Sequence, residues 1–141
     1  MRQLSGSATE RNLRAALDRE AQDNRRFEYF VRRAAFEGDV AAARAFRQVA
    51  EGETAHAFGH LELLQPLDDA LSGATFDEVR NHLEAAVTAE QGRSERYPAY
   101  AAVAREEGLP EVAEWFDMVA RAKRAHAASL ARALEKLTRS R

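Results

Sequence analysis

The chain lacks cysteine altogether and has few residues that interrupt helices. Its 141 residues include no cysteine, 3 prolines and 7 glycines. The absence of thiols excludes disulfides, thiol catalysis and any zinc or iron centre that is built on thiolates. With 45% hydrophobic and 31% charged residues, the composition is typical of a soluble globular protein, and the abundance of alanine, arginine and glutamate favours helix.

Long apolar segments and a strong net charge are also missing. No apolar run approaches the roughly 20 residues of a membrane span, and the N-terminus lacks the apolar region of a signal peptide. The formal net charge of −2 gives no general attraction to nucleic acid or to an anionic membrane. We therefore expect a cytoplasmic protein with neither a nucleic-acid nor a membrane partner.

Capping and turn signals divide the chain into four helices with mostly short connections, and no strong internal repeat is evident. We expect Pro98 to kink the third helix or to interrupt its hydrogen bonds. The four segments run from Ser7 to about Glu37, from Asp39 to the residue before Pro66, from Thr75 to Gly108, and from Pro110 to about Leu137. This pattern predicts one all-α domain over residues 1–141, an antiparallel four-helix bundle.

Ionisable residues interrupt the apolar stripe of every helix near its middle. Mid-helix positions lie at similar heights in an antiparallel bundle, so these residues are expected to meet in one buried cluster. Because buried charges must be paired, the cluster needs cations, either metal ions or basic side chains. Its expected members are Glu20, Glu53, His56, Glu90, Arg93, Lys123 and His126.

The residue types of this cluster suit a metal. Glu53 and His56 lie one turn apart on one helix face, and carboxylate with imidazole suits iron, manganese or zinc. Glu-x-x-His alone is a weak signal, but matching interruptions in four helices are a stronger one. Ferritin-like di-iron bundles use one Glu from each of two helices and Glu-x-x-His from each of the other two. The chain departs from that template at Lys123, which precedes His126 in the fourth helix.

Four blocks of the sequence resemble the rubrerythrins of the ferritin-like superfamily. They read "GSATERNLRAALDREAQDNRRFEYF", "AEGETAHAFGHLELL", "ERYPAYAAVAREEGLPEVAEWF" and "AKRAHAASLARAL". The resemblance implies a four-helix bundle with a non-haem di-iron site, without haem or nucleotide. It further implies peroxide reduction or iron oxidation, an external electron donor, and a homodimer that in some cases exchanges helices. Without cysteine, the rubredoxin domain that many members carry is not expected here.

The resemblance also assigns site residues. It implies that Glu20, Glu53, His56 and His126 are metal ligands and that Tyr97 lies beside the site. Its departures are Lys123, in place of a bridging glutamate, and the loss of the second of two third-helix glutamates. That position is Gly92 if Ala89 occupies the first, and Arg93 if Glu90 does. The register of the third helix decides whether Glu90 joins the ligands: residues seven apart differ by about 20° on a regular helix. Because Tyr97 follows Glu90 by seven residues, we expect Glu90 rather than Ala89 to face the core.

Three states of the site remain open, and the order of preference follows from Lys123. The first is a metal-free network in which Lys123 bridges Glu20 and Glu53. The second is a single metal bound through Glu20, Glu53, His56 and His126, and the third is a di-iron site with rearranged ligands. Iron, as one or two ions, is the cofactor that the resemblance implies. Whether the protein is an enzyme stays open, because a non-catalytic interaction module is an alternative.

Overall fold

The structure, a computed structural model, describes residues 3–67 and 79–140, and these form four helices and no strand. The all-α, four-helix class that the sequence predicts is confirmed. The chain divides into two compact units, residues 1–67 and 68–141, and each is a helical hairpin. The prediction of one domain over the whole chain stays a prediction. The helices are α1 (Ala8–Glu37), α2 (Val40–Leu64), α3 (Val79–Glu106) and α4 (Pro110–Arg139).

The first hairpin begins and turns where the capping signals predict. The Ser7 side chain accepts a hydrogen bond from the Glu10 N–H, and the Gly6 N–H donates to the Glu10 carboxylate. That backbone hydrogen bond, together with Arg14, lowers the pKa of Glu10. Gly38 ends α1 in the left-handed conformation with φ of 80°, and the Asp39 side chain caps α2. A two-residue connection therefore makes α1 and α2 antiparallel neighbours.

The second hairpin repeats this plan with one difference at its caps. Gly108, with φ of 75°, precedes α4, and Pro110 occupies the first turn of that helix without a side-chain cap at Leu109. Helix α3 continues through Pro98. Because proline has no N–H, one backbone hydrogen bond of the helix is missing there, and the expected kink stays a prediction. The predicted start of α3 at Thr75 and Glu78 lies outside the described residues.

The two hairpins share an internal repeat with an offset of 70 residues, which corrects the expectation that no strong repeat exists. At each turn a backbone N–H donates to a carbonyl five residues earlier: Asp39 to Ala34 at 2.9 Å, and Leu109 to Ala104 at 2.8 Å. The left-handed glycines stand at equivalent positions, 38 and 108. The buried alanines follow the same offset: Ala34 and Ala104, Ala43 and Ala113, Ala50 and Ala120.

An aromatic triad near the turn of each hairpin obeys the same offset. In the first hairpin Phe27, Phe30 and Phe46 have ring centroids 5.5 to 6.1 Å apart. In the second, rings at the three equivalent positions lie 5.6 to 5.9 Å apart. Those rings belong to Tyr97, Tyr100 and Phe116. Small alanines at the helix contact and one aromatic cluster beside the turn thus set the same helix register in both hairpins.

None of the helices among residues 3–67 and 79–140 contains a stretch apolar and long enough to cross a bilayer.

Candidate metal centre

The position of Glu20 against α2 depends on a polar contact one turn further along α1. The Asn24 side-chain amide donates to the Ala50 carbonyl at 2.7 Å and to the Thr54 hydroxyl at 2.8 Å. Thr54 is the neighbour of Glu53, and Ala50 is buried at the helix contact. Because Asn24 fixes α1 and α2 in one register, it turns Glu20 toward the Glu53–His56 face of α2.

Glu20, Glu53 and His56 form a cluster whose donor atoms converge. One ligand atom from each residue lies within 4.8 Å of the others. The Glu20 Oε1 atom is 3.1 Å from His56 Nδ1. Glu20 and Glu53 are partly buried, whereas His56 is exposed. Two carboxylates give this cluster a formal charge of −2 when the imidazole is neutral, which suits a divalent cation.

A second imidazole reaches the same carboxylate from the next turn of α2. His60 Nε2 lies 2.8 Å from the Glu20 Oε2 atom. His60 is not among the site residues that the sequence predicts. A signal for it is nevertheless present, because His56 and His60 are four residues apart and so share a helix face.

The second hairpin holds a cluster of opposite charge at the equivalent positions of the repeat. The buried Glu90 carboxylate is 3.2 Å from the Lys123 ammonium and accepts a 2.8 Å hydrogen bond from Arg93. His126 Nδ1 lies 3.4 Å from the same carboxylate. The formal charge of this group is +1 when His126 is neutral. The charge of the Glu90 carboxylate is therefore already balanced by the basic side chains around it.

The charge balance around Glu90 is reflected in its acidity. Burial acts to raise the pKa of Glu90, but the hydrogen bonds from Arg93 and Lys123, the charge of Lys123 and the contact with His126 outweigh it. The net effect is a lowered pKa. Glu90 is therefore held as a carboxylate at neutral pH, paired with cations of its own hairpin.

The repeat makes the two clusters directly comparable. In the first hairpin the sequence separation from Glu20 to His56 is 36 residues, and Glu90 and His126 have the same separation of 36. Lys123 follows Glu90 by 33 residues, as Glu53 follows Glu20. The Lys123 ammonium thus stands at the position that a carboxylate occupies in the first hairpin.

Comparison with known proteins identifies the family of the chain. The family model described as Rubrerythrin matches residues 11–80 and 81–141. The chain belongs to the rubrerythrin family. It is 32% identical over 131 residues to a rubrerythrin of Nitratidesulfovibrio vulgaris and 34% identical over 138 residues to one of Clostridium perfringens. Both alignments cover 89% of this chain and 69% of the relative.

Membership of the rubrerythrin family agrees with the donor set of the first hairpin. Rubrerythrins are non-haem iron proteins, and the Glu20, Glu53 and His56 side chains provide the oxygen and nitrogen donors that suit such a metal. The second hairpin fits a metal poorly, because Lys123 and Arg93 already neutralise Glu90. A metal fits α1–α2 by charge and by donor type.

The structure also tests where individual side chains of this rubrerythrin-family chain point. The expected inward orientation of Glu90 is confirmed, since Glu90 is 9% exposed and α3 is a regular helix at this point. Lys123, expected beside Glu20 and Glu53, pairs with Glu90 inside its own hairpin. Tyr97 packs on Tyr100 and Phe116, and its expected place beside a metal stays a prediction.

Proposed function

We propose that this rubrerythrin-family protein binds one divalent metal ion, with iron as the biological metal, through Glu20, Glu53 and His56 of α1–α2. The observation that carries the proposal is the convergence of three ligand atoms within 4.8 Å in a group with formal charge −2. Glu20 and Glu53 supply the negative charge and hold the ion, and His56 supplies a nitrogen donor. The Glu90–Lys123 ion pair occupies the equivalent position in α3–α4.

The charge at Lys123 argues for one ion rather than two. A cation about 4 Å from the Lys123 ammonium would be repelled by roughly 4 kcal/mol per unit charge at an effective dielectric constant near 20. The carboxylate nearest to Lys123, Glu90, is also engaged by Arg93 and His126. A second metal would have to displace these cations, so we place the di-iron alternative below a mononuclear site.

The metal-free network preferred from the sequence loses support for a different reason. That network needed Lys123 as the cation for Glu20 and Glu53, but Lys123 lies on Glu90, 3.2 Å away. The basic groups found beside Glu20 are the imidazoles of His56 and His60 rather than an ammonium or a guanidinium group. The carboxylates of α1–α2 therefore still call for a cation, which a metal would provide.

The biological role that we propose follows the resemblance to rubrerythrins: the handling of iron or protection against oxidative stress. Bound iron would supply the ability to cycle between oxidation states. These 141 residues contain no cysteine and therefore no iron centre held by thiolates, so we expect the electrons to come from a donor outside these residues. Glu20 and Glu53 would favour the higher charge of an oxidised ion by electrostatic attraction.

We also propose that the protein assembles as a homodimer, as the resemblance implies. Large apolar side chains are exposed on both hairpins, among them Phe58 at 63% and Trp115 at 59%. Burial of such side chains between two chains would contribute favourably to assembly. Light scattering coupled to size-exclusion chromatography should give about twice the 15.7 kDa mass of the chain.

Anaerobic titration of the chelator-treated protein with Fe²⁺, followed by calorimetry and metal analysis after desalting, tests the proposed function. We expect one equivalent per chain. Two equivalents would restore the di-iron alternative. No retained iron, with a thermal midpoint that chelators do not move, would support a non-catalytic interaction module instead.

A further inference from the structure

We propose that His60 is an additional ligand of the metal ion, bound through Nε2, so that α1–α2 supplies two imidazoles and two carboxylates. The inference rests on the proposed function and extends it, because it assigns a residue that the resemblance to rubrerythrins did not. With His60 included, all four proposed ligands of the metal belong to the first hairpin.

The contact between His60 and Glu20 has the distance of a hydrogen bond without its geometry. Nε2 and Oε2 are 2.8 Å apart, yet Oε2 is a buried atom without a hydrogen-bond partner among the described residues. The angles at the two atoms therefore do not align a donor with a lone pair. Two donor atoms that bind the same ion, each at about 2.1 Å from it, lie roughly 3 Å from one another. The convergent ligand atoms are those of Glu20, Glu53 and His56, and among the described residues His60 reaches this group through its contact with Glu20. A metal bound beside Glu20 would give Oε2 and His60 Nε2 a common partner.

The position of His60 on α2 suits the same role. His56 and His60 are four residues apart, a spacing at which paired histidines of a helix bind zinc. Glu53, His56 and His60 therefore follow one another along one face of α2 over two turns. His60 is also the better protected imidazole, with 23% of its side chain exposed against 63% for His56. A ligand shielded from water holds its ion more firmly.

The repeat provides an internal comparison for this assignment. The position equivalent to His60 in the second hairpin is Leu130, and the position equivalent to Glu53 is Lys123. The hairpin that has the carboxylate also has the second imidazole, and the hairpin that has the ammonium has an apolar residue instead. A packing role alone would be served by leucine in both hairpins, whereas a metal requires the two donors together.

Cobalt provides a readout that does not depend on activity. Chelator-treated wild type, His60→Leu and His60→Gln would each be titrated with Co²⁺, with affinity measured by calorimetry and ligand geometry by the visible absorption of the bound ion. His60→Leu installs the residue of the second hairpin. His60→Gln keeps a side-chain donor for Glu20 but removes the imidazole. His82→Leu, which removes an imidazole from α3, is the matched control.

We expect His60→Leu and His60→Gln each to weaken Co²⁺ binding by at least about tenfold and to change its absorption bands, while His82→Leu matches wild type. If wild type binds Co²⁺ and His60→Leu binds it with the same affinity and absorption spectrum, the assignment of His60 as a ligand is overturned. The proposed function is then left intact. Recovery of affinity and spectrum in His60→Gln would show that His60 only positions Glu20, which also overturns the assignment. A wild type that binds no Co²⁺ would reject the proposed function and this ligand together.

Discussion

The Lys123 ammonium lies 3.2 Å from the Glu90 carboxylate, at the place in the second hairpin where Glu53 stands near Glu20 in the first. The two hairpins thus share one helix arrangement but balance the charge of their carboxylates differently. In α1–α2 the carboxylates outnumber the cations, and we propose that a metal balances their charge. In α3–α4 the protein supplies the cations itself.

The replacement Lys123→Glu should convert the second hairpin into a metal-binding one. Removal of the ammonium and addition of a carboxylate change the formal charge of the Glu90 cluster from +1 to −1. We expect a second equivalent of Fe²⁺ or Co²⁺ in calorimetry. Lys136→Glu makes the same charge change at an exposed position of α4 and should leave the stoichiometry at that of wild type. Equal stoichiometry in Lys123→Glu and wild type would count against a metal-excluding role for Lys123.

Glu90 should make the metal-free protein sensitive to acid. Its pKa is lowered in the fold, so its contribution to the free energy of unfolding is complete above the ordinary glutamate range near 4.3 and disappears as the pH falls through the lowered value. Glu90→Gln should cost roughly 1–3 kcal/mol at pH 7. Urea unfolding with chelator present checks this: the difference between variant and wild type should shrink below about pH 4, and a pH-independent difference would refute it.

Asn24 should matter for both stability and metal binding. Asn24→Ala removes hydrogen bonds to the Ala50 carbonyl and the Thr54 hydroxyl. We expect a loss of about 1–2 kcal/mol in urea unfolding, and weaker Co²⁺ binding because α1 is no longer fixed in register. Asn12→Ala, at an exposed position near the start of the same helix, is the control for the higher helix propensity of alanine and should lower neither stability nor Co²⁺ affinity. Equal behaviour of the two variants would contradict the positioning role of Asn24.

The turn of the first hairpin depends on the left-handed Gly38. Its φ of 80° is unfavourable for alanine, so Gly38→Ala should lower the free energy of unfolding by about 1 kcal/mol. Gly52 lies inside α2 and has open space where an alanine methyl group would stand, so it provides a control whose expected stability change has the opposite sign. Gly52→Ala should stabilise by about 0.5–1 kcal/mol. Thermal unfolding of both variants compares the signs, and destabilisation of equal size in both would contradict the assignment.

Helix caps and the relative directions of residues on one helix can be predicted from the sequence. Ser7 and Asp39 cap their helices as predicted, because capping depends on residues within one turn. The inward orientation of Glu90 follows from its seven-residue separation from Tyr97, because a regular helix fixes relative directions. These features need no knowledge of how helices pack.

The partners of charged side chains are not readable in the same way. The sequence places Lys123 on the apolar face of α4, but whether it meets Glu20 or Glu90 depends on helix contacts rather than on spacing. The repeat is faint in the sequence because it preserves residue classes, such as alanine at 34 and 104, more than whole segments. A histidine on a helix face has several ordinary roles, and the sequence does not reveal the 2.8 Å contact between His60 and Glu20 on which the ligand assignment partly rests.

We propose that the metal belongs to α1–α2 and not to α3–α4. Glu20→Gln and Glu90→Gln make the same change at equivalent positions of the repeat. In calorimetric Co²⁺ titrations of the folded variants, we predict that Glu20→Gln loses the one equivalent bound by wild type, whereas Glu90→Gln retains it. Loss of binding in Glu90→Gln with retention in Glu20→Gln, or equal loss in both, would contradict a metal site in α1–α2.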